Sequence, residues 1–189
     1  MDYLQTYSSA FSNKTYSSEH HIQYDFAIDC IKKIHNHLDT FTCIDIGSGR
    51  GHLIKMVKNC FPNSTITSVD LEKFNNENVN FKKCDLSNAD DRNNLIDNSY
   101  NVLCCTDVFE HLDKSFIEDV IKMCSVLSKN CVLAIATHSD IMNGIELHTI
   151  QENDKWWELY LTKYFVIEKK EIRYNGTLYM YFCTKKTNL

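Results

Sequence analysis

The residues able to do chemistry in this 189-residue chain gather at the ends of short apolar runs. The first group is Asp45-Ile46-Gly47-Ser48-Gly49-Arg50-Gly51-His52, which holds three of the five glycines at alternate positions. Glycine admits left-handed backbone and close ligand approach, and an ordinary turn seldom needs three of them so spaced. An apolar run from Phe41 precedes the group, and Leu53, Ile54, Met56 and Val57 follow it at helical spacing. The pattern is strand, tight loop and helix N-terminus, which presents backbone N–H donors to a ligand. Acids and histidines close the later runs. Asp70 ends Ser64–Val69, Asp85 ends Val79–Cys84, and Asp107, Glu110 and His111 follow Tyr100–Thr106, while His138 and His148 lie beyond Ala136. An acid at Asp70 can accept both hydroxyls of a ribose, as acids at that distance do in dinucleotide folds. A lone Asp more often caps a helix or sits in a solvated loop; here the acids follow successive strands in order.

A dinucleotide loop needs a third glycine where this chain has His52, and a phosphate-cradling P-loop needs a closing Gly-Lys-Ser/Thr that does not occur. The loop instead resembles motif I of class I S-adenosylmethionine-dependent methyltransferases, and the strand-end acids extend that resemblance over residues 40–184. The resemblance implies a single-domain Rossmann-like α/β fold, a seven-stranded, mostly parallel sheet with an antiparallel last strand and helices on both faces. It also implies that S-adenosylmethionine is held by Asp45, Gly47, Ser48, Gly49, Gly51, His52, Asp70, Leu71, Asp85, Leu86 and Asp107, with Asp85 facing the adenine amino group. The segment from Asp107 to Leu112 is similar to the post-strand motif of ubiquinone-type O-methyltransferases. Glu110, His111 and His148 are the catalytic candidates, His148 resembling the histidine that precedes the penultimate helix near the acceptor. Each histidine has a plainer alternative, packing or capping for His111 and loop bonding for His148.

Metal-assisted O-methyltransferases, including those acting on small-RNA 3′ ends, carry Glu-x-x-Glu-His in this place. Asp107, Glu110, His111 and His148 could therefore hold Mg²⁺, Mn²⁺ or Co²⁺, although Asp107 is shorter than the Glu of that motif. Metal-free acid–base chemistry is the preferred reading. The function expected is O-methylation of a small molecule or sugar. The alternatives are an RNA-end 2′-O methyltransferase and a non-catalytic S-adenosylmethionine-binding module.

The elements that position these residues follow from periodicity. Residues 1–18 read as an arm and 19–189 as the domain. A helix from Ser18 carries Ile22, Phe26, Ala27, Cys30, Ile31, Ile34 and Leu38 at three-and-four spacing. Strands are expected near 41–46, 65–70, 79–82, 101–105 and 130–136, with helices near 51–59 and 115–127, an alternation that means a parallel sheet. Residues 88–96 are a weak helix or a loop, and 137–148 an irregular substrate segment. A helix near 152–163 carries adjacent Trp156 and Trp157, one expected in the core and the other at the acceptor pocket. Two strands flank Asn175-Gly176, a strong hairpin signal.

A net charge of −5 with dispersed lysines argues against long nucleic acid as a partner. No apolar run is long enough for a membrane helix, and no signal-peptide pattern opens the chain. Nine cysteines lack any CxxC pair and mostly fall in apolar patterns, which suits free thiols in the cytoplasm.

Overall fold

The computed structural model describes residues 21–73, 78–96 and 99–187. The arm and the helix start expected at Ser18 lie outside these residues. The elements follow in the order α1 (Ile22–Lys32), β1 (Thr42–Ile46), α2 (His52–Cys60), β2 (Thr65–Asp70), β3 (Asn80–Lys83), α3 (Ala89–Leu95), β4 (Tyr100–Thr106), α4 (Ile117–Leu127) and β5 (Ser128–Ala136). They continue with the short strands β6 (Ile141–Met142) and β7 (Ile145–Glu146), then α5 (Asp154–Tyr164), β8 (Phe165–Arg173) and β9 (Leu178–Lys185). Seven strands form one sheet in the order β3-β2-β1-β4-β5-β9-β8. Strands β1 to β5 pair in parallel, and β9 runs antiparallel to both β5 and β8.

Strand parity explains why the sheet's sequence reads as nearly unbroken apolar runs. Ile44, Ile46, Leu103, Cys105, Leu133, Ile135, Tyr179 and Tyr181 pack on one face with residues of α3, α4 and α5. Cys43, Val102, Cys104, Val132, Ala134, Met180 and Phe182 pack on the other with residues of α1 and α2. Successive side chains of a strand point to opposite faces, and a parallel sheet covered on both sides needs apolar residues at each parity.

Several local outcomes differ from the periodic expectation. Helix α1 stops at Lys32, and Leu38 is 70% exposed. The chain turns instead: the Asp39 carboxylate takes the Asn36 N–H at 2.8 Å, and His35 stacks on Phe41. Residues 89–95 are a true helix, because the Asn88 side chain accepts the N–H groups of Asp90 and Asp91. The segment after Ala136 is a small hairpin, β6 pairing with β7. Its turn is Asn143-Gly144, with φ of 52° and 79°; positive φ at both central residues is what a tight hairpin turn requires. The Asn175-Gly176 hairpin also forms, through a longer connection in which Tyr174, Asn175 and Gly176 are all left-handed. All nine cysteines are free. Among the described residues, no helix is long and apolar enough to cross a membrane.

Candidate functional site

Because β1 to β4 are parallel, their carboxyl ends and the loops after them meet along one edge, where α/β sheets bind ligands. The glycine loop is moored there by its own backbone: the N–H groups of Gly47 and Ser48 donate to the carbonyl of Val69 at 2.8 and 3.2 Å. Gly47, Gly49 and Gly51 have φ of 72°, 48° and 76°. At Gly47 a Cβ would lie 2.2 Å from Cγ2 of Val108, so both the backbone angle and the space exclude a side chain. Gly51 opens α2 without a side-chain cap, and His52, half-buried, is its first residue.

Asp70 ends β2 beside this loop. One carboxylate oxygen accepts the N–H of Gly49 at 2.8 Å and the other that of Leu71 at 2.8 Å. Burial raises its pKa to about 6 against the pull of those two donors. Asp45 is 3% exposed, and burial, with a smaller push from Asp70, lifts its carboxyl to about 8, so it is neutral at pH 7. Ser48 and Ser68 share a hydrogen bond of 2.7 Å beneath the loop. Asp85 is exposed and accepts both the N–H and the hydroxyl of Ser87, shaping its own turn, while Leu86 is buried in the core. Arg92 holds that turn from behind, donating to the carbonyl of Leu86 at 2.6 Å.

After β4 the chain takes a sharp corner. Asp107 has φ of 55°, and Phe109–His111 form a single 3-10 turn. Asp107 and Glu110 therefore do not sit one α-helical turn apart on a common face. The Asp107 carboxylate accepts Nε2 of Gln23 from α1 at 2.5 Å. Burial raises its pKa, an effect that Gln23 and the nearby His148 and His138 oppose. Glu110 is fully buried, and its Oε1 accepts the N–H of Ala136 at the end of β5 at 2.8 Å. Its Oε2 is buried without a hydrogen-bond partner. Burial, reinforced by Asp107, raises its pKa above the ordinary carboxylate value.

His111 and His148, distant in sequence, stand edge to face with ring centroids 4.7 Å apart. Each Nδ1 faces a carbonyl oxygen, that of Leu147 at 3.0 Å for His111 and that of His138 at 2.6 Å for His148. A carbonyl only accepts, so both Nδ1 atoms carry the hydrogen and both Nε2 atoms keep a lone pair when the rings are neutral. Burial lowers the pKa of His111 to about 4 and depresses that of His148 as well. One ligating atom each of Glu110, His111 and His148 lies within 4.8 Å of the others. Asp107 is not in that group; Gln23 holds it elsewhere.

The core wall behind the cluster is Trp157, stacked on Phe109 with centroids 6.3 Å apart. Trp156 packs against Trp157 and Tyr160, with Lys114 over its ring, and lines an open groove of about 520 Å³ with Glu152, Asn153, Lys155, Glu158, Leu159 and Thr162. Two residues absent from the sequence reading belong to the site. Gln23 had a weak signal, a polar residue among the apolar positions of α1. Glu146, which accepts the N–H groups of Asp140 and His148, had none beyond its place beside Asn143-Gly144.

Several solved structures of this shape are titled methyltransferases. The magnesium protoporphyrin IX methyltransferase of Synechocystis PCC 6803, solved with bound SAH, superposes with a TM-score of 0.72 at 13% identity over 98% of this chain and 97% of its own. The 1,6-didemethyltoxoflavin-N1-methyltransferase of Burkholderia thailandensis gives 0.71 at 13% identity, covering 99% and 86%. An S-adenosylmethionine-dependent methyltransferase from Clostridium acetobutylicum ATCC 824 gives 0.67 at 13%, covering 97% and 98%. Among curated proteins no sequence matches significantly. The family model described as a methyltransferase domain, however, matches residues 18–173. With that match spanning most of its length, the chain belongs to the methyltransferase-domain family.

Proposed function

We propose that the protein transfers a methyl group from S-adenosylmethionine to an oxygen of a small molecule or sugar. The donor lies over the glycine loop with its ribose on Asp70. Two of the similar structures carry SAH, and one is titled a S-adenosylmethionine-dependent enzyme. The acceptors those titles name, a porphyrin and a toxoflavin precursor, are small molecules, which supports an acceptor of that size.

The observation that carries the oxygen reading is the pair of imidazoles tied through Nδ1 to carbonyl oxygens. A sulfonium supplies an electrophilic methyl group; the protein has to align the acceptor and take its proton. His148 suits the second task. Its lowered pKa keeps it neutral, its Nε2 has a lone pair, and the His138 carbonyl stabilises the imidazolium formed. The His148→Ala variant should bind donor normally and lose about 10²–10⁴-fold in turnover. The assay is radiolabelled donor against pooled metabolites and short RNAs. Normal turnover of the variant on any acceptor found leaves His148 a structural residue, and activity confined to RNA ends favours the RNA alternative.

A second reading draws on the buried, partnerless Oε2 of Glu110 beside the two histidines. One oxygen and two nitrogens suit Mg²⁺, Mn²⁺ or Co²⁺, and Glu110, His111 and His148 would hold the ion. Such an ion lowers the pKa of an acceptor hydroxyl, replacing a protein base. Glu110 would bind it as a carboxylate. Titration with Mn²⁺ should then show one site per chain, lost in Glu110→Gln. Full activity after chelation excludes this reading.

A further inference from the structure

We propose that Glu146 is the positioning residue of the site, a single carboxylate that sets both site histidines by stapling the β6–β7 hairpin. The inference rests on the reading of His148 as the proton acceptor. Glu146 Oε1 accepts the N–H of Asp140 at 2.8 Å and that of His148 at 3.0 Å. Its Oε2 accepts the hydroxyl of Ser139, and the Gln151 side chain donates to the His148 carbonyl at 3.0 Å. The carboxylate thus bridges the strand entering the hairpin to the strand leaving it, and a backbone bond from Leu147 N–H to the Asp140 carbonyl at 2.8 Å doubles the bridge.

The two carbonyls that orient the imidazoles are at the ends of this staple. His138, whose carbonyl takes Nδ1–H of His148, adjoins Ser139. Leu147, whose carbonyl takes Nδ1–H of His111, lies between Glu146 and His148. Ile141, the first residue of β6, is 66% exposed, while Leu147 is buried and Thr137 N–H donates to the Thr177 carbonyl at 2.7 Å, so Glu146 acts between two anchored ends. Beyond His148 the chain is anchored separately, Ile150 N–H donating to the Glu110 carbonyl at 3.0 Å. Removing Glu146 leaves only the Leu147–Asp140 backbone bond across the base of the hairpin, which loosens both ring-orienting carbonyls, and Glu146 has no bond to the glycine loop.

Hydrogen-bond reach carries this role. Both amide N–H groups converge on one oxygen, so a glutamine can keep them with its carbonyl and turn its NH₂ toward the Ser139 hydroxyl. An aspartate keeps the charge and falls short by one methylene. The test uses the full chain labelled with ¹⁵N-histidine, bound to S-adenosylhomocysteine, as wild type and as Glu146→Gln, Glu146→Asp and Glu146→Ala. In the wild type and Glu146→Gln, His148 should appear as one Nδ1–H tautomer with a slowly exchanging ring proton. In Glu146→Asp and Glu146→Ala that proton should exchange about ten- to hundred-fold faster, and the tautomers should mix. Affinity for S-adenosylhomocysteine should stay within about twofold in all four, which also reports folding. A wild-type histidine spectrum in Glu146→Asp, or a Glu146→Gln spectrum resembling Glu146→Ala, overturns the proposal. Neither result touches the base reading, which falls only if His148→Ala turns over normally.

Discussion

Asp70 is the residue at which donor binding can be tested with least ambiguity. Its two oxygens are already divided, Oδ2 to the Gly49 N–H and Oδ1 to the Leu71 N–H, leaving one outward lone pair on each for a pair of ribose hydroxyls. Hydrogen bonds to a charged group contribute about 1.5–3 kcal/mol. Losing that net amount weakens binding about ten- to hundred-fold, at about 1.4 kcal/mol per decade. Asp70→Ala should show this loss, and Asp70→Asn should not be spared, since its NH₂ must face one of the two backbone donors. The pH dependence has a definite sign. Burial holds the free carboxyl at about 6, and ribose donors favour the ionised form. Affinity for S-adenosylhomocysteine should therefore be full above pH 6 and fall as pH drops through that value, approaching tenfold per unit. Asp45, lifted to about 8, stays mostly protonated from pH 7 to 5 and does not contribute to the change there. Calorimetry from pH 5 to 8 on the wild type and both variants is the assay. Wild-type affinity in Asp70→Ala, or a wild-type curve flat from pH 7 to 5, refutes the ribose assignment.

Gly47→Ala should destabilise the fold and weaken donor binding, since it adds left-handed strain of about 1–2 kcal/mol to a clash with Val108. Adding Val108→Ala should recover only part of the loss in thermal melts, and full recovery would show that φ at Gly47 is unimportant. Asp45→Asn should stabilise the protein more at pH 8 than at pH 5: the native carboxyl ionises at about 8 and the unfolded one near 4, so stability falls as pH rises between them. Equal melting shifts at both pH values would contradict that burial. Glu110→Gln should retain the bond from the Ala136 N–H and unfold at nearly the wild-type urea concentration. Glu110→Ala leaves that buried N–H unsatisfied and should cost about 1–3 kcal/mol, and equal midpoints would deny the bond its role.

Local pattern alone marked the proposed donor half of the site. The alternating glycines, the apolar run before them and the acid closing β2 are each short-range features, and a parallel sheet brings the carboxyl ends of adjacent strands together whatever the loops do. The strands and helices fall within a few residues of their periodic positions because a sheet covered on both faces demands apolar residues at every strand position. The acceptor half was legible only as a set of residue types. Whether Asp107 joins Glu110 depends on the backbone after β4, and the left-handed corner at Asp107 sends it to Gln23 instead. Whether Asp85 faces a ligand or closes its own turn depends on Ser87. That His111 and His148 meet, each with Nδ1 on a carbonyl oxygen, depends on how the hairpin before His148 folds back. Two of those contacts, Gln23–Asp107 and Leu147–His111, join segments 84 and 36 residues apart through single hydrogen bonds, and the others are set by the turns of irregular loops. No periodicity records them, because they depend on distances set by the packed fold and not on the spacing of residues along the chain.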